Sequence, residues 1–206
     1  VAAVLVVLSS MGWQAYRYQH AQNLVERLLE AETADAPGVV RQIEPYRRWA
    51  DRMLDDAAAT DDPKKSLHIA LARLPRDPVQ AVDLRDRLLD GKPVEVRVVR
   101  DALQSRAAKL APALWMELGD ANQPLRRRFR AACALAAFDP SSKEWSMHSE
   151  SVAAWLVAEN RLVINEWANL FRPVRERLIP ALKAEDLYQA TRPDWRTAAA
   201  VVLADY

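Results

Sequence analysis

Glycine is scarce in this chain: among 206 residues there are four, Gly12, Gly38, Gly91 and Gly119. So few, so scattered, cannot build a loop whose backbone amides cradle a phosphate, and neither a Walker A run nor a dinucleotide fingerprint is present. Histidine and cysteine are scarcer still. His20, His68 and His148 stand alone, with no second His or Cys at metal-ligand spacing, so no zinc site is expected and each reads as a surface or capping residue. The single cysteine, Cys133, excludes an intrachain disulfide and leaves the redox compartment open. On an alanine-lined helix face it reads as a small core residue, since a nucleophilic thiol needs a base and an electropositive setting. Net charge is also missing: 29 basic side chains against 28 acidic ones give none of the positive field of a dedicated nucleic-acid binder. The serine-rich stretch SSKEWSMHSES holds His148 and Glu150, the letters of a hydrolase triad, without a nucleophile elbow. No catalytic, cofactor-binding or metal-ligating residue is therefore assigned.

What the chain has in quantity is apolar helix. Half of its residues are hydrophobic and 28% are charged, an ordinary globular balance rather than a disordered one. One element recurs. LRRRFRAACALAAFDP, Leu125 to Pro140, is an arginine-rich turn entering a small-residue helix that stops at Asp-Pro, and weaker versions are LHIALARLPRDP (Leu67 to Pro78) and WRTAAAVVLADY (Trp195 to Tyr206). Their marker aspartates, Asp77, Asp139 and Asp205, fall at nearly even intervals along the chain. KLAPAL at Lys109 to Leu114 returns as RLIPAL at Arg177 to Leu182, after an interval of much the same length. A unit of that size holds about two helical hairpins of HEAT or armadillo length, roughly 30 to 45 residues each.

The chain opens VAAVLVVLSS, and its eight leading apolar residues are far short of the roughly 20 that cross a bilayer. Trp13, Tyr16, Arg17 and Tyr18 follow, the amphipathic aromatics and basic residue found where a membrane helix leaves the hydrocarbon. Residues 1 to about 20 are read as the exit half of a transmembrane or anchor helix whose first half lies upstream. A signal-peptide remnant and an ordinary amphipathic first helix are the alternatives.

From Gln22 the pattern is helical, with Leu24, Val25, Leu28 and Leu29 on one face before a break at Asp35-Ala36-Pro37-Gly38. Val39, Ile43, Tyr46, Ala50 and Met53 form a stripe through Pro45, which predicts a kink or restart near Glu44. Asp61-Asp62-Pro63 opens the next helix, with Leu67, Ala70, Leu71 and Leu74 as its buried face. Gly91 and Pro93 separate AVDLRDRLLD from PVEVRVVRDALQSRAAKL. The valines Val94 to Val99 alternate like a strand, but a lone strand would have no partner, and the stripe Val99, Leu103, Leu110, Leu114 runs on at helical spacing, so helix is predicted throughout. Leu125, Phe129, Ala132 and Ala136 line up in the central helix, Arg126, Arg127 and Arg130 point elsewhere, and the cluster Arg126-Arg127-Arg128-Phe129-Arg130 is read as a solvated face rather than a phosphate-contacting patch. After the polar linker, Trp167, Leu170, Phe171, Val174 and Leu178 repeat the stripe, with Pro173 placed like Pro45. Trp49, Trp115, Trp155, Trp167 and Trp195 fall on or beside such stripes and read as packing between units. The last helix runs to Tyr206 with an apolar face uncovered, as at a cut end.

The runs LVERLLEAETADAPGVVRQIEPYRRWADRML, LARLPRDP, ALAAFDP and VAAWLVAENRLVINEWANLFRPVRERLIPAL resemble the juxtamembrane repeat region of large planctomycete transmembrane serine/threonine kinases. Some of those proteins carry a formylglycine-generating-enzyme-like domain at the far end. The resemblance implies a parent protein rather than an activity in this chain, because no Gly-rich loop, His-Arg-Asp or Asp-Phe-Gly is present. The expectation is an all-α, right-handed HEAT/armadillo-like solenoid of about six hairpins over residues 21–206, in units of about 24–78, 79–140 and 149–206, behind an anchor at 1–20. Its expected role is that of a non-catalytic spacer or interaction module for a protein or peptide. The membrane is reached through the N-terminal segment, and the repeats are placed on the extracytoplasmic side of a single-pass kinase. A nucleic-acid-binding HEAT-like domain, disfavoured by the charge balance, and a small-molecule sensor are the alternatives.

Overall fold

The computed structural model describes the backbone of residues 2–184 and 193–206 and the side chains of residues 13–184 and 194–206. The apolar run at residues 1–8 lies outside the described side chains, and the stretch 185–192 of the third expected unit lies outside the described residues. The fold is all-helical, with no strand among the described residues. In chain order the helices are α1 (Ala2–Glu30), α2 (Ala36–Ile43), α3 (Arg47–Ala57), α4 (Pro63–Arg73), α5 (Gln80–Asp90), α6 (Pro93–Leu103), α7 (Ala107–Gly119), α8 (Leu125–Phe138), α9 (Trp145–Ala158), α10 (Ile164–Phe171), α11 (Arg175–Leu182) and α12 (Pro193–Asp205). The valine run is helix, as expected: Pro93 begins α6, Glu95 accepts the Lys92 backbone N–H at 2.9 Å, and Val96, Val98 and Val99 are buried. No helix among the described residues is long and apolar enough to cross a membrane.

Three 3₁₀ turns join α2 to α3, α6 to α7 and α10 to α11, at Glu44–Tyr46, Gln104–Arg106 and Arg172–Val174. The restart expected at Glu44 is there. The seamless helix expected from Val99 to Leu114 is not, because the second turn interrupts it; Ser105 stands where the other two turns have Pro45 and Pro173, so the bend does not depend on proline. Counting from the residue before each turn, positions −4, 0, +7 and +11 read Val39, Ile43, Ala50, Leu54, then Val99, Leu103, Leu110, Leu114, then Trp167, Phe171, Leu178, Leu182. All are buried except Leu110, which is partly covered by neighbours and cedes the core to Ala111. One turn of tighter 3₁₀ helix keeps a single apolar seam in line across the bend. The three seams recur at nearly the interval of the marker aspartates.

By contact the chain forms two compact units, residues 1–84 and 85–206. In the first, Ala21, Leu24 and Leu28 of α1 meet Val39, Ile43, Ala50 and Leu54 of the bent α2–α3 element and Ile69 and Ala72 of α4. Because α1 packs along both α2 and α3, that element is one bent helix rather than two arms of a hairpin. The break placed at Asp35 to Gly38 falls earlier: Ala36 already starts α2, and Pro37 occupies its first turn, where its missing N–H costs nothing. Asp62 caps α4, accepting the backbone N–H of Lys64 at 2.8 Å and of Lys65 at 3.2 Å, a cap worth about 1 kcal/mol. α1 is continuous, so no joint separates the expected anchor from the first packed helix.

In the second unit α8 is the centre, packed against α6, α7, α9 and α10. Every residue from Phe129 to Ala136 is buried, and the alanines with Cys133 let neighbouring helices approach closely. Leu125, expected on that face, is 54% exposed at the first residue of α8. Trp145, assigned to a polar linker, is fully buried at the start of α9. Its indole N–H donates to the Asp139 carbonyl at 3.0 Å, while Trp115 donates to the Asp139 carboxylate at 3.0 Å and meets Trp145 edge-on at 5.3 Å. The marker aspartate of this unit thus anchors two tryptophans.

Candidate functional site

The arginine run is not a uniformly solvated face: Arg126 is exposed, Arg127 and Arg128 are half-buried and Arg130 is buried. On α8 the side chains of Arg126, Arg127, Arg128 and Arg130 spread around the cylinder, as residues a few positions apart must, and each finds a fixed acceptor. Arg126 donates to the Asp90 carbonyl at 2.9 Å; Arg127 bridges the Asp90 carboxylate and Glu117, both at 2.9 Å. Arg128 donates to the Leu118 carbonyl at 2.9 Å and lies 4.9 Å from the Trp155 ring. Arg130, 6% exposed, donates Nε to the Gly91 carbonyl at 2.9 Å and stacks 4.6 Å over Trp167. The run therefore ties the α5–α6 turn and the end of α7 to the core. Space at Gly91 is tight: a Cβ would stand 3.3 Å from the Arg87 carbonyl oxygen and from the Glu95 and Val96 side chains, so a larger residue would require those neighbours to shift by a few tenths of an ångström. Burial holds the Arg130 guanidinium below its ordinary pKa, and the Glu117 hydrogen bond holds that of Arg127 above it.

Beside this clasp an open groove of about 660 Å³ runs between α5, α7 and the loop before α8. Leu89 and Leu114 form its floor, Met116 stands 76% exposed on its wall, and Asp86, Glu117 and Asp120 supply carboxylates. Those carboxylates already have partners: Arg85 for Asp86, Arg127 for Glu117, and the Asn122 backbone N–H, which pulls the Asp120 carboxyl below the usual range. The groove offers acceptors and an apolar wall, not a poised acid or base.

The histidines separate. His68, expected at the surface, is fully buried; Nδ1 bonds the Leu28 carbonyl at 2.8 Å and Nε2 meets the Thr33 hydroxyl at 3.3 Å, and burial holds its pKa below the usual value. His148 stacks on Trp115 at 5.9 Å, and His20 lies 4.7 Å from Tyr46. No group of three or more His, Cys, Asp or Glu able to hold a metal occurs among the described residues. Cys133 is fully buried, and burial pushes its thiol far above the ordinary range. His148 and Glu150 both lie on α9, and the ring apposed to His148 is the indole of Trp115 on α7. Compared with protein-family models, curated proteins and solved structures, the chain matches none.

Proposed function

We propose that this chain is a HEAT-like α-solenoid, a non-catalytic spacer and protein-interaction module that forms the extracytoplasmic arm of a membrane-anchored serine/threonine kinase. The observation that supports the reading is the recurrence of two helices joined by a 3₁₀ turn, with the −4, 0, +7, +11 apolar register, at α2–α3, α6–α7 and α10–α11. Repetition of a helical unit is how extended binding surfaces are built, since each unit needs only its neighbours to bury its apolar faces. The side chains with most chemical potential are committed to holding helices together: His68 to Leu28, Arg130 to Gly91 and Trp167, and Cys133 to the alanine core. The groove beside Met116 suits an extended peptide segment, with adaptable thioether contact from Met116 and acceptors from Asp86, Glu117 and Asp120 along its lining. Titration calorimetry of the full chain with magnesium-ATP and with zinc tests the non-catalytic part: no binding heat is expected, and micromolar affinity for either would overturn it.

A further inference from the structure

Exposed large apolar side chains elsewhere in the described residues are valines, leucines and methionines, but at the start of the described side chains they are aromatic and close together. Trp13 is 58% exposed, Tyr16 63% and Tyr18 52%. Trp13, Tyr16, Arg17 and His20 stand at i, i+3, i+4 and i+7 along α1 and share one face. Arg17 stacks 3.7 Å over the Trp13 ring and lies 5.8 Å from Trp49 and 6.0 Å from Tyr46. His20 lies between Tyr16, at 5.9 Å, and Tyr46, at 4.7 Å, and Arg48 is 5.9 Å from Trp49. The cluster therefore does not belong to α1 alone; it joins α1 to the first bend, with Pro45 exposed beside it.

We propose that Trp13, Tyr16, Arg17, Tyr46, Arg48 and Trp49 form a lipid-docking surface that seats the first bend in the headgroup layer of a membrane. The residue types argue for lipid over protein. Tryptophan and tyrosine with arginine, apolar bodies carrying polar tips, are what the membrane–water boundary selects. Tyr18, two residues from Tyr16 and so on the opposite side of the helix, is exposed as well. A protein partner would use one face, whereas the boundary surrounds the helix. Preceding the cluster, the chain carries no charged side chain before Arg17, and helix from Ala2 to Gly12 extends about 16 Å, the depth of one leaflet. This rests on the reading of residues 1 to about 20 as a membrane segment, and adds that the first packed unit lies on the bilayer rather than projecting freely from it.

The test uses the full chain mixed with phosphatidylcholine vesicles, with and without phosphatidylglycerol. Cys133 is buried and unreactive, so one introduced cysteine can carry a nitroxide label: Pro45→Cys at the bend, where the second bend tolerates Ser105, or Asp56→Cys at the far end of α3. Vesicle binding is expected to shield the label at position 45 severalfold from a water-soluble relaxation agent and to leave position 56 unchanged. Arg48→Ala should weaken binding to the anionic vesicles about fivefold, without effect on the neutral ones. Vesicle binding with position 45 as accessible as position 56 would overturn the docking while sparing the anchor. Failure to associate with either vesicle would overturn the anchor, and the docking with it.

Discussion

Replacing Arg130 with alanine should destabilise the second unit by about 2 to 4 kcal/mol, and the figure follows from what surrounds the side chain. Its charged hydrogen bond to the Gly91 carbonyl is worth about 1.5 to 3 kcal/mol, and truncation also leaves that buried carbonyl without a donor. The stack on Trp167 adds about 0.5 to 2 kcal/mol, and the two methylenes lost beyond Cβ about 0.8 kcal/mol each. Against these stands relief from burying a cation whose nearest carboxylate, Glu159, is 3.9 Å away, a relief of several kcal/mol. Arg130→Met keeps the stem and removes the charge, so its cost should be smaller, about 1 to 2 kcal/mol. Arg126, exposed at the same helix end, is the internal reference: its alanine variant should fall within about 0.5 to 1 kcal/mol of the parent. Urea denaturation followed by tryptophan fluorescence and circular dichroism measures all three. Equal effects at Arg126 and Arg130, or a wild-type midpoint for Arg130→Ala, would refute the clasp and restore the solvated face.

Phe171→Ala or Leu178→Ala should each cost about 2 to 5 kcal/mol in the same assay, since both are fully buried on the third seam; wild-type stability would mean the seam is misassigned. Stability should also fall on acidification. His68 and His148 have pKa values below the usual 6.5 in the folded chain, so the unfolded chain binds more protons as pH drops through 6.5, and the native state loses ground there. His68→Gln should remove the larger part of that slope in pH-dependent urea midpoints; an unchanged slope would mean His68 is accessible to protons when folded.

Much of this fold is legible in the sequence, because its apolar residues obey helical spacing over long stretches. Ile43, Leu103 and Phe171 precede the bends with recognisable stripes on both sides, and Asp62-Pro63 and Gly91-Lys92-Pro93 punctuate the helices by local chemistry alone. The features missed depend on partners distant in sequence. Four arginines beside an aromatic look alike whether they face water or carbonyls, and the acceptors that fix them, Gly91, Asp90 and Leu118, are brought up only when α5, α6 and α7 pack. Trp145 sits among Ser, Lys and Glu without periodic neighbours, so nothing local announces its burial. His68 did carry a signal, since LHIALA is apolar on every side of it, and a polar residue inside such a run is buried with a partner.

If the three bent elements belong to one stacked repeat scaffold, the monomer is longer than it is wide, and small-angle X-ray scattering tests that most directly. A compact globule of 206 residues has a radius of gyration of about 17 Å. Three units, each roughly two helix diameters deep and stacked in a row, give about 20 Å or more, with a distance distribution tailing to one side. The predicted result is that larger radius together with the tail. A symmetric distribution at the radius of the compact globule would contradict the solenoid.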